Sequence, residues 1–180
     1  MEVVNIVGSG AIGVEIDLQA LAATASVHET RYDPGSHPGL YLRFTEDGPL
    51  VTLYRTGKYN ITGEDTEDAL LAVRDRFLTM LCDLDILETT EDTGFAVQNY
   101  VCTGELDGDV NLNALAVHLG LDRTEYEPEQ FPALVYRPVE YECVMLVFST
   151  GRVVVTGIAE RQVGEEAFLE LATEIASVLQ

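Results

Sequence analysis

The stretch YDPGSHPGLYLR at 32–43 returns 94 residues later as YEPEQFPALVYR at 126–137. The same shift aligns Asn5 with Asn99, DLQALA at 17–22 with NLNALA at 111–116, and LYRTGKYNITG at 53–63 with VFSTGRVVVTG at 147–157. These identities need no gap and cluster at turns and strand ends, which indicates a tandem duplication. We predict a first repeat at 1–85 and a second at 95–180, with a linker region at 82–96, together forming one domain with a pseudo-twofold axis.

Each repeat shows the same order of elements: a short strand, a helix, three or more strands with tight turns, and a longer helix. Asp17 is the expected cap of the first helix, and Asp65 or Thr66 that of the second. The turn sequences EDGP at 46–49 and TGK at 56–58 predict hairpins, and hairpins indicate an antiparallel sheet rather than β-α-β units. The predicted fold class is therefore α+β.

The strands KYNIT at 58–62 and RVVVT at 152–156 show which faces the sheet presents. Alternation places Lys58, Asn60 and Thr62 on one face, with Tyr59 and Ile61 on the other. The matched strand alternates in the same way, and its repeat carries apolar residues on both faces. One interpretation is a sheet covered on both sides. However, two helices per repeat ordinarily cover one side only, which leaves an apolar face free for binding.

Cations border this free face, at Arg43, Lys58, Arg137 and Arg152. The minor groove of DNA offers few polar contacts, so a protein reads it with asparagine and threonine, apolar surface and wedged aromatic rings. The face combines these residue types and carries them at matched positions of the repeat. The pattern predicts a minor-groove binder.

The charge balance is strongly acidic: 31 acidic residues and 10 basic ones give a formal net charge of −21, and nine of the ten basic residues are arginine. This composition resembles proteins of a cytoplasm rich in potassium chloride, where the Debye length falls to about 3 Å at 1 M. Net charge then says little about partners. The sequence shows neither an apolar run of membrane-spanning length nor a signal-peptide pattern, so we expect a cytoplasmic protein without membrane contact.

The stretch GSGAIG at 8–13 matches the G-x-G-x-x-G pattern of dinucleotide-binding loops. That fingerprint needs a helix directly after the glycines, whereas the helical pattern here starts near Asp17. The second repeat has CTGELD at 102–107 and keeps only Gly104. We therefore expect no nucleotide cofactor, and expect the glycines to end the first strand.

Other signs of chemistry are weak. His28, His37 and His118 are not grouped as metal ligands, and the serines lack a His/Asp context for nucleophilic catalysis. Cys82, Cys102 and Cys143 lack zinc or disulfide spacing and are expected to be buried thiols. The sequence predicts no enzyme, no cofactor and no metal.

The motifs VQNYV at 97–101, YEPEQFPALVYR and VFSTGRVVVTG resemble the TATA-box-binding protein family, a general transcription factor of archaea and eukaryotes. The resemblance covers nearly the whole chain. It implies a saddle: a continuous curved antiparallel sheet with the helices on its convex face. It also implies binding of A·T-rich promoter DNA through the minor groove, DNA bending, recruitment of transcription factor B, and an indirect link to RNA polymerase.

The resemblance implies a role for each matched residue. The asparagines would lie at the centre of the saddle, the aromatic residues would wedge between base steps, and the cations would contact the backbone. The implied DNA-binding residues are Asn5, Val7, His37, Pro38, Arg43, Tyr54, Lys58, Asn60, Thr62, Asn99, Val101, Phe131, Pro132, Arg137, Val144, Leu146, Phe148, Arg152, Val154 and Thr156. The implied docking site for transcription factor B is Glu127, Glu129 and Gln130.

The first repeat departs from the family pattern. His37 and Tyr54 stand where the family has two phenylalanines, and Asn60 stands where an apolar residue is expected. Two alternatives therefore stay open: a divergent paralogue that binds DNA weakly and acts through protein contacts, and a small-molecule-binding protein or enzyme on the same sheet. Off DNA, a homodimer could cover the apolar face.

Overall fold

The structure is a computed structural model that describes residues 1–91 and 94–178. The chain divides into two compact units: a first-half unit, Asn5–Gln98, and a second-half unit, Met1–Val4 with Asn99–Gln180. The predicted repeat boundaries, 1–85 and 95–180, stay a prediction. Residues 92–93 of the expected linker and 179–180 of the second repeat lie outside the described residues.

The first half of the chain contains five strands and two helices: β1 (Glu2–Ala11), α1 (Leu18–Thr24), β2 (Glu29–Arg31), β3 (Gly39–Arg43), β4 (Leu50–Tyr54), β5 (Lys58–Glu64) and α2 (Glu67–Asp83). The second half repeats this order as β6 (Ala96–Glu105), α3 (Leu112–Leu119), β7 (Thr124–Glu125), β8 (Leu134–Tyr136), β9 (Val144–Val147), β10 (Arg152–Ile158) and α4 (Arg161–Val178).

The strands belong to a ten-stranded sheet and follow the same spatial order in both halves. That order is β2-β3-β4-β5-β1 in the first half and β6-β10-β9-β8-β7 in the second. Neighbouring strands pair antiparallel, for example β4 with β5 and β9 with β10. The predicted α+β class with an antiparallel sheet is confirmed.

Local signals in the sequence fix the helix starts. The Asp17 carboxylate accepts hydrogen bonds from the backbone N–H groups of Gln19 and Ala20 and caps α1. Of the two expected caps of α2, Thr66 is the one used, and its hydroxyl accepts from Ala69 N–H. Both caps satisfy backbone donors that the first helical turn leaves free.

The core lies between one face of the sheet and the long helices. In the first-half unit Tyr59 and Ile61 point from β5 into this core and are fully buried, and the Tyr59 ring packs against Phe77 of α2 at 5.0 Å between centroids. In the second-half unit Val153 and Val155 of β10 are buried in the same way. Burying a Phe-sized side chain contributes roughly 1.5–3 kcal/mol. The helices therefore cover one face of the sheet and bury the side chains on it, as the alternation of residues predicts.

The glycines of GSGAIG are part of this packing. Gly8 and Gly10 lie within β1, and α1 begins five residues beyond Gly13. A Cβ at Gly8 would lie 2.3 Å from the Phe95 ring, so a larger residue here would force that ring to shift. The expectation that the glycines end the first strand is therefore wrong for Gly8 and Gly10, which lie inside β1, and only Gly13 lies beyond its end at Ala11. A phosphate-binding loop needs such glycines between a strand and a helix N-terminus, which Gly8 and Gly10 do not provide.

Candidate nucleic-acid interface

The face of the sheet opposite the helices is half exposed. Of the predicted DNA-binding residues, Lys58, Arg152, Phe131, Arg137, Pro38 and Pro132 are exposed, and the others are partly buried. The partly buried set includes the apolar residues Val7, Val101, Val144, Leu146 and Val154. The same strands thus supply a sealed core on one side and an accessible, largely apolar surface on the other.

In the first-half unit, Asn5 is held at an irregularity between β1 and β5. The register shifts between Ile6 and Val7, and Gly63 takes a positive φ of 108° in the extra space. The Gly63 N–H donates to Asn5 Oδ1 at 2.8 Å, and Asn5 Nδ2 donates to Thr62 Oγ1 at 3.0 Å. The backbone donor therefore fixes which side of the amide carries the oxygen.

The second-half unit repeats this arrangement at Asn99. The register of β6 and β10 shifts beside Gly157, which has a φ of 80°. Asn99 Oδ1 accepts from Gly157 N–H at 2.7 Å and from Ile158 N–H at 3.2 Å, while Asn99 Nδ2 donates to Thr156 Oγ1 at 3.1 Å. Each amide nitrogen has two N–H donors. Among the residues that the structure describes, one N–H of each amide has no acceptor, and both asparagines are partly exposed.

The aromatic residues of the second-half unit form a pair. The Phe131 and Phe148 rings meet edge to face, with centroids 6.4 Å apart, and Phe131 is 41% exposed. The ring pair is apolar and partly exposed, and the edge-to-face contact is one that aromatic rings prefer.

The matching cluster of the first-half unit has three members. His37 stacks on Tyr41 at 4.8 Å and lies 6.0 Å from Tyr54. The Gly39 N–H donates to His37 Nδ1 at 3.0 Å, so Nδ1 is an acceptor in this arrangement. Tyr41 was not among the predicted site residues. The shift of 94 residues aligns it with Val135, which was not among them either.

Cross-strand pairing extends this difference across each half. One row of the first-half unit runs through Ser9, Asn60, Thr52, Tyr41 and Arg31. Its counterpart in the second-half unit runs through Thr103, Val154, Leu146, Val135 and Glu125. The first row is polar where the second is aliphatic. Sequence reasoning found Asn60 and missed Thr52 and Tyr41, which the same alignment could have shown.

The four predicted backbone-contacting cations fall into two classes. Arg43 pairs with Glu29 at 3.5 Å, and Arg137 pairs with Glu125 at 2.9 Å. Within the described residues, Lys58 and Arg152 have no acidic partner, and both are exposed. Arg31 lies over the Tyr41 ring at 5.9 Å.

The predicted docking residues form a tight turn between β7 and β8. Glu127 accepts backbone hydrogen bonds from Gln130 and Phe131, and its carboxylate accepts from Gln130 Nε2. Glu129 lies exposed at the tip. The first-half turn has the same backbone bonds from Ser36 and His37 to Asp33, whose carboxylate accepts from Gly35 N–H. Asp33 is exposed, but both of its carboxylate oxygens accept hydrogen bonds within the turn, from Gly35 N–H and from the Ser36 hydroxyl.

The remaining polar chemistry is sparse. Cys102 and Cys143 are buried as expected, and burial raises the pKa of both thiols; Cys82 is only half buried. Across residues 1–91 and 94–178, no group of three or more His, Cys, Asp or Glu side chains is placed to hold a metal ion. None of the helices in these ranges is long and apolar enough to cross a membrane.

Comparison with known proteins identifies the family. The family model described as "Transcription factor TFIID (or TATA-binding protein, TBP)" matches residues 1–84 and 94–178. TATA-box-binding protein C of Halobacterium salinarum is 51% identical over 168 residues, covering 93% of each chain, and the TATA-box-binding protein of Haloarcula marismortui is 40% identical over 93% of this chain and 88% of its own.

A solved structure, Methanococcus jannaschii TBP, superposes with a TM-score of 0.81 at 34% identity and covers 98% of both chains. The fold expected from the resemblance is therefore confirmed, and similar chains occur in halophilic archaea. The chain belongs to the TATA-binding protein family.

Proposed function

We propose that this chain is a non-enzymatic transcription initiation factor that binds A·T-rich promoter DNA through the minor groove, bends it and recruits transcription factor B. The names of the relatives support the general role in transcription. The finer assignments rest on the chemistry of the half-exposed face.

The oriented asparagine amides carry the proposal. The backbone N–H of Gly63 or Gly157 holds the amide oxygen, so the amide nitrogen supplies the free donor. In the minor groove A·T and T·A pairs present only acceptors, whereas G·C adds a donor. A fixed N–H donor therefore favours A·T pairs and meets an unsatisfied donor at G·C.

The apolar surface and the cations supply the rest of the binding. Val7, Val101 and Val154 give flat, half-buried contact for the groove floor, and the Phe131–Phe148 pair is the wedge that opens a base step. Lys58 and Arg152 need not break an ion pair to reach a phosphate. Arg43 and Arg137 must exchange Glu29 and Glu125 for DNA.

The substitution Asn99→Asp tests this reading. An aspartate keeps the acceptor for Gly157 and Ile158 N–H, and Thr156 can donate to it, so the fold is retained. The free donor is replaced by a charge facing base acceptors. We expect affinity for an A·T-rich duplex to fall roughly 10- to 100-fold in gel shifts in molar potassium chloride, while the thermal unfolding midpoint stays near that of the parent.

The control is Asn99→Ala, which removes the acceptor as well and leaves two backbone N–H groups without a partner. That variant should lose both stability and DNA binding. If Asn99→Asp binds DNA like the parent chain, the asparagine serves the strand irregularity alone and the proposed base contact is wrong.

The polar row of the first-half unit favours one second candidate, a paralogue that binds DNA weakly and acts mainly through protein contacts. Asn60 and Tyr41 keep polar atoms on a surface that must be dried on binding, and Thr52 between them is a polar residue that is already buried. Replacing Thr52 and Asn60 by their counterparts, Leu and Val, distinguishes the candidates. A large gain in affinity supports the paralogue, and an unchanged or reduced affinity supports the initiation factor.

A further inference from the structure

A groove on the second-half unit lies away from the half-exposed face. Its volume is about 700 Å³, and it runs between α4 and the segment after β8. Val139 is 72% exposed and Leu169 is 63% exposed at its edges. Large aliphatic side chains left this open beside one groove indicate a surface that another molecule covers.

The duplication supplies an internal comparison for this groove. In the first-half unit the matched cavity is smaller, about 330 Å³, and Phe44 lies in its wall with the Arg76 guanidinium 4.7 Å from the ring centroid. The residues aligned with Phe44 and Arg76 are Pro138 and Glu170. In the first-half unit Phe44 and Arg76 together form a plug that narrows the cavity. The second-half unit has neither residue of this plug.

Two rows of side chains run along α4 at this groove. Leu169 and Thr173 form one row with a spacing of four residues, and Glu166, Glu170 and Glu174 form the next. Rows of this spacing are the ridges into which a second helix packs. The first ridge is uncharged and led by the exposed Leu169, and the ridge beside it is acidic.

The electrostatics around the groove are negative. Tyr141 donates a hydrogen bond to the Glu170 carboxylate at 3.0 Å, and this bond is the main cause that raises the pKa of Tyr141. Burial raises the pKa of Tyr136, and the Glu174 and Glu170 carboxylates raise it further. Glu140 adds a further acid to the lining, Arg123 is also present, and Glu174 lies 3.3 Å from His118 Nε2.

We propose that this groove docks an amphipathic helix of a protein partner, with aliphatic side chains on Val139 and Leu169 and arginine or lysine beside Glu140 and Glu170. A small-molecule ligand fits less well, because the described residues contain no buried polar side-chain atom without a partner to orient it. A second copy of this chain fits less well too, because a symmetric dimer through this groove would bring the acidic rows of the two α4 helices, Glu166, Glu170 and Glu174, into direct contact.

High salt shapes the expected binding. At molar ionic strength the Debye length is about 3 Å, so only direct ion pairs contribute and long-range attraction is lost. The free energy gained from apolar contact does not depend on the Debye length. Leu169 and Val139 should therefore carry the affinity, and the acidic ridge should select the basic partner at close contact.

The experiment uses three synthetic peptides and the full chain in molar potassium chloride. One peptide has leucines at helical spacing flanked by arginines, the second has glutamates in place of the arginines, and the third is a scramble of the first. Binding is measured by fluorescence anisotropy. We expect only the first peptide to bind, and expect the double variant Val139→Thr/Leu169→Asp to weaken it by about tenfold or more.

The variant residues are those that the first repeat already has at the matched positions, Thr45 and Asp75, so the fold tolerates them in this context. A second variant, Pro138→Phe/Glu170→Arg, rebuilds the plug and should also abolish peptide binding. DNA binding of both variants should equal that of the parent chain, because none of the four positions lies on the half-exposed face. This readout separates the groove from the proposed DNA interface.

Three outcomes would overturn the inference: equal binding of the arginine and glutamate peptides, equal binding by parent and variant chains, or peptide-independent self-association that Leu169→Asp abolishes. The last outcome, seen by light scattering, would assign the groove to a second copy of the chain.

Discussion

At the scale of single residues, matched positions carry unlike chemistry. His37 and Phe131 occupy the same place in the two halves, as do Tyr54 and Phe148. The imidazole is already engaged, since His37 Nδ1 accepts from Gly39 N–H and the ring stacks on Tyr41. The rings of the Phe131–Phe148 pair contain no polar atom that could be engaged in this way. On the proposed function, the Phe131–Phe148 pair is therefore the better of the two clusters to enter a base step.

We predict that Phe148→Ala lowers DNA affinity by about thirtyfold or more and reduces bending, because unstacking a base step costs a few kcal/mol that dry aromatic surface must offset. Tyr54→Ala should cost only a few-fold, and His37→Phe should strengthen binding. Gel shifts give the affinities, and energy transfer between labelled duplex ends gives the bend. If His37→Phe weakens binding and Tyr54→Ala matches Phe148→Ala, the first-half cluster is an active wedge of different chemistry.

At the scale of elements, the turns at 33–37 and 127–131 share a backbone and differ in what they present. Both fold through N–H donors to one carbonyl, of Asp33 or Glu127. The Glu127 carboxylate is occupied by Gln130, so Glu129 at the tip is the free acid of the second turn. Its counterpart in the first turn is Gly35, which offers no side chain.

We predict that Glu129→Arg alone abolishes the ternary complex with transcription factor B and leaves DNA-only binding within a few-fold of the parent chain. Native gels with and without transcription factor B measure both. Glu127→Arg should instead disturb the turn and thereby Phe131, reducing both kinds of complex. Loss of DNA binding in Glu129→Arg would mean that the tip residue shapes the wedge rather than contacting a partner.

Element order was predictable because repeat, alternation and turn chemistry are local signals. The strand faces at Tyr59 and Val153, the caps at Asp17 and Thr66, and the turn at Gly57 all follow the sequence. The contacts between particular pairs of side chains were not predictable from the sequence. The Arg137–Glu125 ion pair and the stack of His37 on Tyr41 depend on cross-strand register and side-chain rotamers, which no spacing along the chain encodes.

At the scale of the whole molecule, acidic side chains stand beside two of the four cations proposed to contact DNA, as Arg43 pairs with Glu29 and Arg137 with Glu125. Counting only contacts within residues 1–91 and 94–178, five of the ten basic residues are held in ion pairs with acids. A basic DNA binder releases counterions on binding and loses affinity as salt rises. Here, each freed carboxylate near a phosphate needs a cation from solution.

We therefore predict that DNA affinity rises with potassium chloride over part of the range up to molar concentrations. The double variant Glu29→Gln/Glu125→Gln should show a weaker rise, since it leaves fewer carboxylates to screen. Gel shifts across a salt series measure the slope for both chains. A steady loss of affinity with salt in the parent chain would contradict the argument and show that the interface is effectively cationic.

The two halves present different rows of side chains, and this difference bears on the orientation in which the chain would bind a DNA duplex. A·T and T·A pairs look nearly alike from the minor groove, so a binder with two equal halves would accept a duplex in either orientation. Here one half offers Asn60, Thr52 and Tyr41 and the other Val154, Leu146 and Val135. A difference of about 1.4 kcal/mol between the orientations is a tenfold preference. On the proposed binding mode, the chain distinguishes upstream from downstream before any partner arrives.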